Sequence, residues 1–307
     1  MTMPKRNPAA ALIVLATSGL LAACGSDGDS TSEPFAAPSS FTLSLPETAV
    51  NTADAPTVAQ AGALIDELVD EIEGQVDDID ELLRVTTASC RDGGSVAVSV
   101  ADGSTGTATY TLDYDQCHDD DDLIDGRLQL VCTGSCTSDG TLVFGDGSVG
   151  YSEQSLDSDD RQAVLILGSV VYSSYNEAAD TGSLVIDAGF EYSDPDGAVG
   201  AAQLDDFHYT ATAGSSGHKS LSYDGDFAST AFALPASACN VAGAGSWSTV
   251  LALDDNDSAD RIDSGQLQLG SDDGSATLSW ASGTATASAS GGTVSYGTRE
   301  FDALCDL

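Results

Sequence analysis

The chain has 307 residues, with 9 basic and 49 acidic side chains and a formal charge of −40. A surface of that sign repels phosphate backbones and anionic headgroups, which argues against nucleic-acid or phospholipid-headgroup binding. The length supports one large or two modest domains with a real hydrophobic core.

Residues 1–23 have the layout of an export signal. Lys5 and Arg6 form a positive start, "AAALIVLA" (Ala9 to Ala16) is a short apolar core, and small residues follow. The apolar run is too short to span a bilayer as a mature helix. The segment ends in Leu21-Ala22-Ala23-Cys24, a leucine and two small residues before a cysteine. This resembles the lipobox of bacterial lipoproteins. The resemblance implies cleavage before Cys24, acylation of its thiol and amine (palmitate among the acyl chains), and firm anchoring, because two or more chains hold where one does not. Gly25 stands where aspartate would signal inner-membrane retention, so the expectation is the outer membrane of the cell envelope. The removed segment carries two of the nine basic residues and none of the 49 acids, so the remainder has a formal charge of −42.

Residues 24–56 hold Gly, Ser, Asp, Thr and four of the eight prolines, the composition of a flexible tether. Over 57–84, apolar residues recur at spacings of three and four: Ile65, Leu68, Val69, Ile72, Val76, Ile79, Leu82 and Leu83. This predicts an amphipathic helical segment over 57–87, one apolar stripe with acids covering the rest. Like-charge pairs such as Asp66/Asp70 and Glu67/Glu71 oppose an isolated helix by about 0.2–0.5 kcal/mol each. The helix therefore forms by docking on a sheet or on another helix.

From residue 88 to 307 the period becomes two. Val96/Val98/Val100, Tyr110/Leu112, Leu128/Leu130, Leu184/Ile186/Phe190/Tyr192, Phe207/Tyr209/Ala211, Trp247/Leu251/Leu253 and Ala276/Leu278/Trp280 each share a face. Gly/Asp/Ser clusters punctuate them, as in an antiparallel meander with half-buried strands. "AVLILGSVVY" (Ala163 to Tyr172) is apolar on both parities and is expected to be covered on both faces. The fold class is mainly β: one N-terminal amphipathic helix packed on a large antiparallel meander of about twelve strands, barrel-like or two-sheet. "IDGRLQL" (Ile124 to Leu130) echoes "IDSGQLQL" (Ile262 to Leu269), which fits an old duplication as well as two strands meeting one demand.

Besides Cys24 there are six cysteines, and outside the cytoplasm disulfides persist. Cys90 and Cys117 are symmetric about the turn "DGST", at the base of a hairpin. Val96/Val98/Val100 opposite Tyr110/Leu112 needs an even residue sum, whereas 90 and 117 sum to an odd number, so a bulge or a cysteine outside the ladder is required. Cys132 and Cys136 flank a small loop, "TGS", for which zinc is the alternative, disfavoured without a nearby histidine. Cys239 and Cys305 then remain to tie down the C-terminus. The pattern "SCRDGG…TYTLDYDQC", the stretches "SGQLQL" and "DDGSATLSW", and Phe301 with Leu304 resemble secreted β-rich bacterial lipoproteins. That resemblance implies no particular activity.

No sequence constellation supports an enzyme. GxSxG and HExxH are missing, and Ser216-Gly-His-Lys219 matches SxxK only inside a Gly/Ser turn. His118 and His208 have no catalytic context. "DDNDSAD" places Asp254, Asn256 and Asp260 at calcium-loop spacing, without the EF-hand glycine or closing glutamate, so calcium is the one cofactor candidate and solvated turn aspartates are the competing reading. The expected role is a lipid-anchored envelope protein that binds or supports an envelope protein or glycan. A carrier of an apolar ligand in a β cavity is the alternative, and an unrecognised hydrolase comes third.

Overall fold

The computed structural model describes residues 45–305, apart from 83–86, 91–92, 103–106, 120–121, 135–137, 145–147, 156–157, 195–196, 216 and 233–238. Residues 1–23, expected to form an export signal, Cys24, Cys136 and Ser216 lie outside the described residues.

Helix α1 spans Ala55–Leu82. It is followed by β1 (Thr87–Ser89), β2 (Gly93–Asp102), β3 (Thr107–Asp119), β4 (Asp122–Gly134), β5 (Gly140–Phe144), β6 (Ser148–Ser155), β7 (Ser158–Asn176), β8 (Thr181–Asp194) and β9 (Gly197–Ala213). The chain continues through β10 (His218–Ser229), β11 (Gly243–Asn256), β12 (Arg261–Ser271), β13 (Gly274–Ala281), β14 (Thr284–Ala289), β15 (Gly292–Gly297) and a short α2 (Thr298–Asp302). Among the described residues, fifteen strands form one antiparallel sheet in which sequence neighbours are spatial neighbours with one exception. The sole departure is β5 and β6, which lie end to end between β4 and β7. The architecture is thus mainly β, as expected. The sheet is single and does not close into a barrel, with β1 and β15 at its edges.

The helix begins where capping chemistry starts it. Asp54 Oδ2 accepts hydrogen bonds from the Thr57 amide (3.1 Å) and the Thr57 hydroxyl (2.7 Å), satisfying a donor that the first turn leaves open. Residues 45–54, assigned to the tether by composition, are docked instead. The Val50 amide donates to Ala244 on β11, and Val50 is fully buried. Pro46 marks irregular backbone, but it does not prevent Val50 from packing.

The helix is enclosed further than one stripe. Ile65, Leu68, Val69, Ile72 and Val76 are buried as predicted, but so are Val58, Ala59, Ala61, Ala63 and Leu64, and Glu71 with them. Acids therefore do not cover the remainder of the helix. The polar strip left partly open holds Gln60, Asp66, Glu67, Asp70 and Glu73. At about 1.5–3 kcal/mol per large aliphatic side chain, this burial outweighs the like-charge repulsion along the helix. Gly62 permits the closest approach, because a Cβ there would collide with the Leu278 side chain on β13 and touch Phe301 of α2.

The period-two faces pack as read on β8 and β9, where Leu184, Ile186, Phe190, Tyr192, Phe207, Tyr209 and Ala211 are all buried. Two expectations fail. Val171 is 46% exposed, so β7 is open on that face at this position, while Ile166, Val170 and Tyr172 face the core. Leu251 is 61% exposed between buried Trp247 and Leu253, because the β11–β12 register slips on both sides of it. A slip in register turns a side chain out of the face its parity would give it.

The Cys90–Cys117 disulfide forms, with Cα atoms 5.4 Å apart. Its odd residue sum is resolved by one extra residue in β3. Ser95 pairs with Asp115, but Gly93 pairs with His118, and Gln116 bulges at φ 46°. Gly94, at φ 73°, fits against that bulge because a Cβ would strike the Gln116 carbonyl. Cys239–Cys305 also forms, with Cα atoms 4.7 Å apart. Cys132 is disulfide-bonded too, and its sulfur lies 3.4 Å from the Tyr172 hydroxyl; its expected partner, Cys136, is outside the described residues.

Candidate functional site

Two turns meet at one end of the sheet. The segment 214–217 joins β9 to β10, and 257–260 joins β11 to β12. The β10–β11 register sets His218 opposite Asn256 and Lys219 opposite Asp255, so the two turns are adjacent. Successive strand residues point to opposite faces. Lys219 therefore looks to the helix side of the sheet and His218 away from it.

On the helix side, Lys219 sits among three carboxylates. Its Nζ donates to Asp180 and lies 3.2 Å from Asp257 and 3.6 Å from Asp255. The lysine side chain is 12% exposed. Burial alone pulls its ammonium down, but the hydrogen bonds and charges of Asp180 and Asp257 outweigh that and hold its pKa above the ordinary lysine value. Lys219 is one of only two lysines in the chain, with Lys5, and it is placed where carboxylates crowd. Lys219→Met should cost about 2 kcal/mol, discounted for the solvent at Asp180 and Asp257. Molar salt should recover part of the loss, since the screening length falls to about 3 Å. Urea unfolding at two salt concentrations measures both effects. Unchanged stability would mean that the carboxylates need no cation between them.

Lys219 forms one wall of a cleft between α1 and strands β10–β12, with about 80 Å³ of space open to water-sized molecules. Asp66, Asp70 and Glu73 line it from the helix, Asp255 and Asp260 from the β11–β12 hairpin, and Asp302 from α2. Arg261 is the second cation in the wall. Beneath the carboxylates lie aromatic faces. Tyr223 donates to Asp66 Oδ1 at 2.9 Å and packs on Tyr209 with ring centroids 5.2 Å apart. Burial first, then the Asp66 charge, pushes the Tyr223 phenol well above its usual range. Trp280 and Phe301 meet edge to face at 5.7 Å. The cleft narrows to an apolar recess of about 10 Å³ lined by Ile65, Leu253, Leu267 and Trp247. The Trp247 Nε1–H is buried with no hydrogen-bond partner among the described residues.

On the outer face, His218 Nδ1 is 2.8 Å from Asp254 Oδ1. Asp263, on β12, accepts from Asn256 Nδ2 and from Arg261 Nε, each at 2.7 Å. Those donors, Asn256 first and then Arg261, hold the Asp263 carboxyl below its usual range. His218, Asp254 and Asp263 each bring one ligand atom to within 4.8 Å of the others, and all three are half-buried.

The calcium-loop candidates are therefore divided. Asp254 and Asn256 lie on β11 and face outward, whereas Asp260 sits in the following turn at φ 49° and lines the cleft. No single loop gathers them, because a strand sends alternate residues one way and the turn then reverses direction. His218 and Asp263, which the sequence did not single out as ligands, join Asp254 instead. His208 is exposed and bonds Asp206 at 3.1 Å, and the side chain of His118 lies outside the described residues.

The class defined by these features is a β-meander protein with an engulfed helix and an acid-rimmed, aromatic-walled cleft. Comparison with protein-family models, with curated proteins and with solved structures finds no match to this chain.

Proposed function

We propose that this chain is a lipid-anchored protein of the bacterial envelope, held through Cys24 in the outer membrane, with a non-enzymatic binding or structural role. The lipobox Leu21-Ala22-Ala23-Cys24 supports the anchor. The Cys90–Cys117 and Cys239–Cys305 disulfides, with Cys132 also bonded, support an oxidising compartment. Among the described residues no helix is long and apolar enough to cross a membrane.

The observation that carries the binding role is the cleft. Its carboxylates stand over tyrosine, tryptophan and phenylalanine faces. That pairing suits the ammonium or guanidinium groups of an envelope protein, or an amine-bearing glycan, through charge and cation–π attraction. Carriage of an apolar ligand is less well supported, because the helix and sheet side chains pack into one shared core and the apolar recess beside the helix measures about 10 Å³. Enclosing ligand pockets are typically about 300–1,000 Å³, so neither the recess nor the cleft of about 80 Å³ encloses a whole ligand, and the cleft suits a protruding cationic group presented at its rim.

The test is native mass spectrometry of the full chain extracted in mild detergent from its own host's membranes. The expected spectrum shows acylated Cys24 and either apo protein or a stoichiometric polypeptide or glycan. The Cys24→Ala form should leave the membrane fraction. A bound apolar molecule of defined mass would favour the carrier. Unacylated wild-type protein in the soluble fraction would overturn the anchor.

A further inference from the structure

We propose that His218, Asp254 and Asp263 form a binding site for a divalent transition-metal cation of the zinc type, on the face of the sheet away from the cleft. The three ligands come from three hydrogen-bonded neighbours, β10, β11 and β12, so they are held by strand register instead of by a loop. One imidazole and two carboxylates within 4.8 Å of one another provide the nitrogen and oxygen donors that such ions take. A four-coordinate ion with bonds of about 2.0–2.2 Å sets its ligand atoms about 3.4 Å apart, so ligand pairs near the 4.8 Å limit close in while the 2.8 Å His218–Asp254 contact opens, and a water completes its shell.

The surroundings resemble those of built metal sites. Asp263 is oriented by Asn256 Nδ2 and Arg261 Nε, each at 2.7 Å, as outer-shell donors orient ligating carboxylates. His218 is oriented by Asp254, with Nδ1 2.8 Å from Oδ1, so both ligand atoms already face one point. The Arg261 charge opposes the cation and moderates affinity without removing a ligand. Calcium is a poor fit, because it asks for six to eight oxygen ligands and imidazole is not one of them.

The experiment is calorimetric titration of zinc into the untagged full chain, disulfides intact and stripped with chelator, at 0.5 M salt to suppress loose counterion binding. One site per chain is expected. His218→Gln and Asp263→Asn should each weaken it at least tenfold, whereas His208→Ala should not change it. Cobalt in place of zinc should give a visible absorption band that disappears in His218→Gln. Circular dichroism of each variant separates lost ligands from lost folding, and Asp254→Asn provides an independent third ligand change if either variant unfolds. A wild type with no stoichiometric site would overturn the proposal. So would affinity that survives His218→Gln, or zinc displaced by an equal concentration of calcium. None of these outcomes depends on Cys24 or on the cleft.

Discussion

Replacing Glu71 with glutamine should make the folded protein more stable than the wild type at pH 8, by up to about 3 kcal/mol. The two should converge below about pH 4.5. Glu71 lies on α1 but faces the core, 3% exposed, and burial raises its carboxyl from 4.5 to about 7. Tyr192 on β8 is close enough to feel its charge. Below pH 4.5 the carboxyl is protonated in both folded and unfolded chains, and its burial carries no charge penalty. Between 4.5 and 7 the folded chain holds the proton and the unfolded chain releases it, so the contribution of Glu71 to stability falls as pH rises. Above 7 the charged form is buried and the penalty is complete. Glutamine keeps the shape and cannot ionise. Other carboxylates add their own pH dependence to both proteins, so the quantity to measure is the difference between variant and wild-type unfolding free energies from pH 4 to 8. A difference that does not change with pH would show that Glu71 finds enough water or hydrogen bonding to stay charged.

Replacing Cys239 and Cys305 together with serine should lower stability by about 4 kcal/mol, the chain-entropy value for a loop of this length. The bridge closes a sequence separation of 66 residues, against 27 for Cys90–Cys117. It also holds the C-terminal segment on the helix. The Cys305 sulfur lies 3.2 Å from the Gln60 carbonyl oxygen, and Phe301 packs on Trp280 and beside Gly62. Loss of the bridge should therefore loosen the Trp280–Phe301 contact, visible as reduced near-ultraviolet circular dichroism under native conditions. Urea unfolding of the oxidised wild type and the double variant measures the free energy. A loss below about 1 kcal/mol would mean that packing of α2 alone holds the terminus.

Much of this architecture is legible locally. The 3.6-residue period over 57–84 and the two-residue period after 88 correspond to α1 and to the strands, because each backbone periodicity decides which side chains can share a face. The parity conflict between Cys90 and Cys117 demands a bulge or a cysteine pair outside the ladder, and Gln116 supplies the bulge. The candidate site was far less legible. Asp254 and Asn256 attracted notice through spacing within one segment, but His218 is 36 residues from Asp254 in the chain. Nothing local in "SSGHKS" reports the pairing of β10 with β11.

The sequence by itself determined the switch from helix to meander, the strongly negative charge, and the Cys90–Cys117 disulfide at the base of its hairpin. Each follows from spacing along a few residues or from summed composition. The tertiary structure alone decided that Glu71 lies in the core while Glu73 lines the cleft, that Leu251 turns outward, and that Lys219 and His218 serve opposite faces of one strand. The physical reason is that burial depends on how far the sheet wraps the helix, and side-chain neighbours across strands depend on register. Both are set by contacts between residues distant in sequence, which no local period contains.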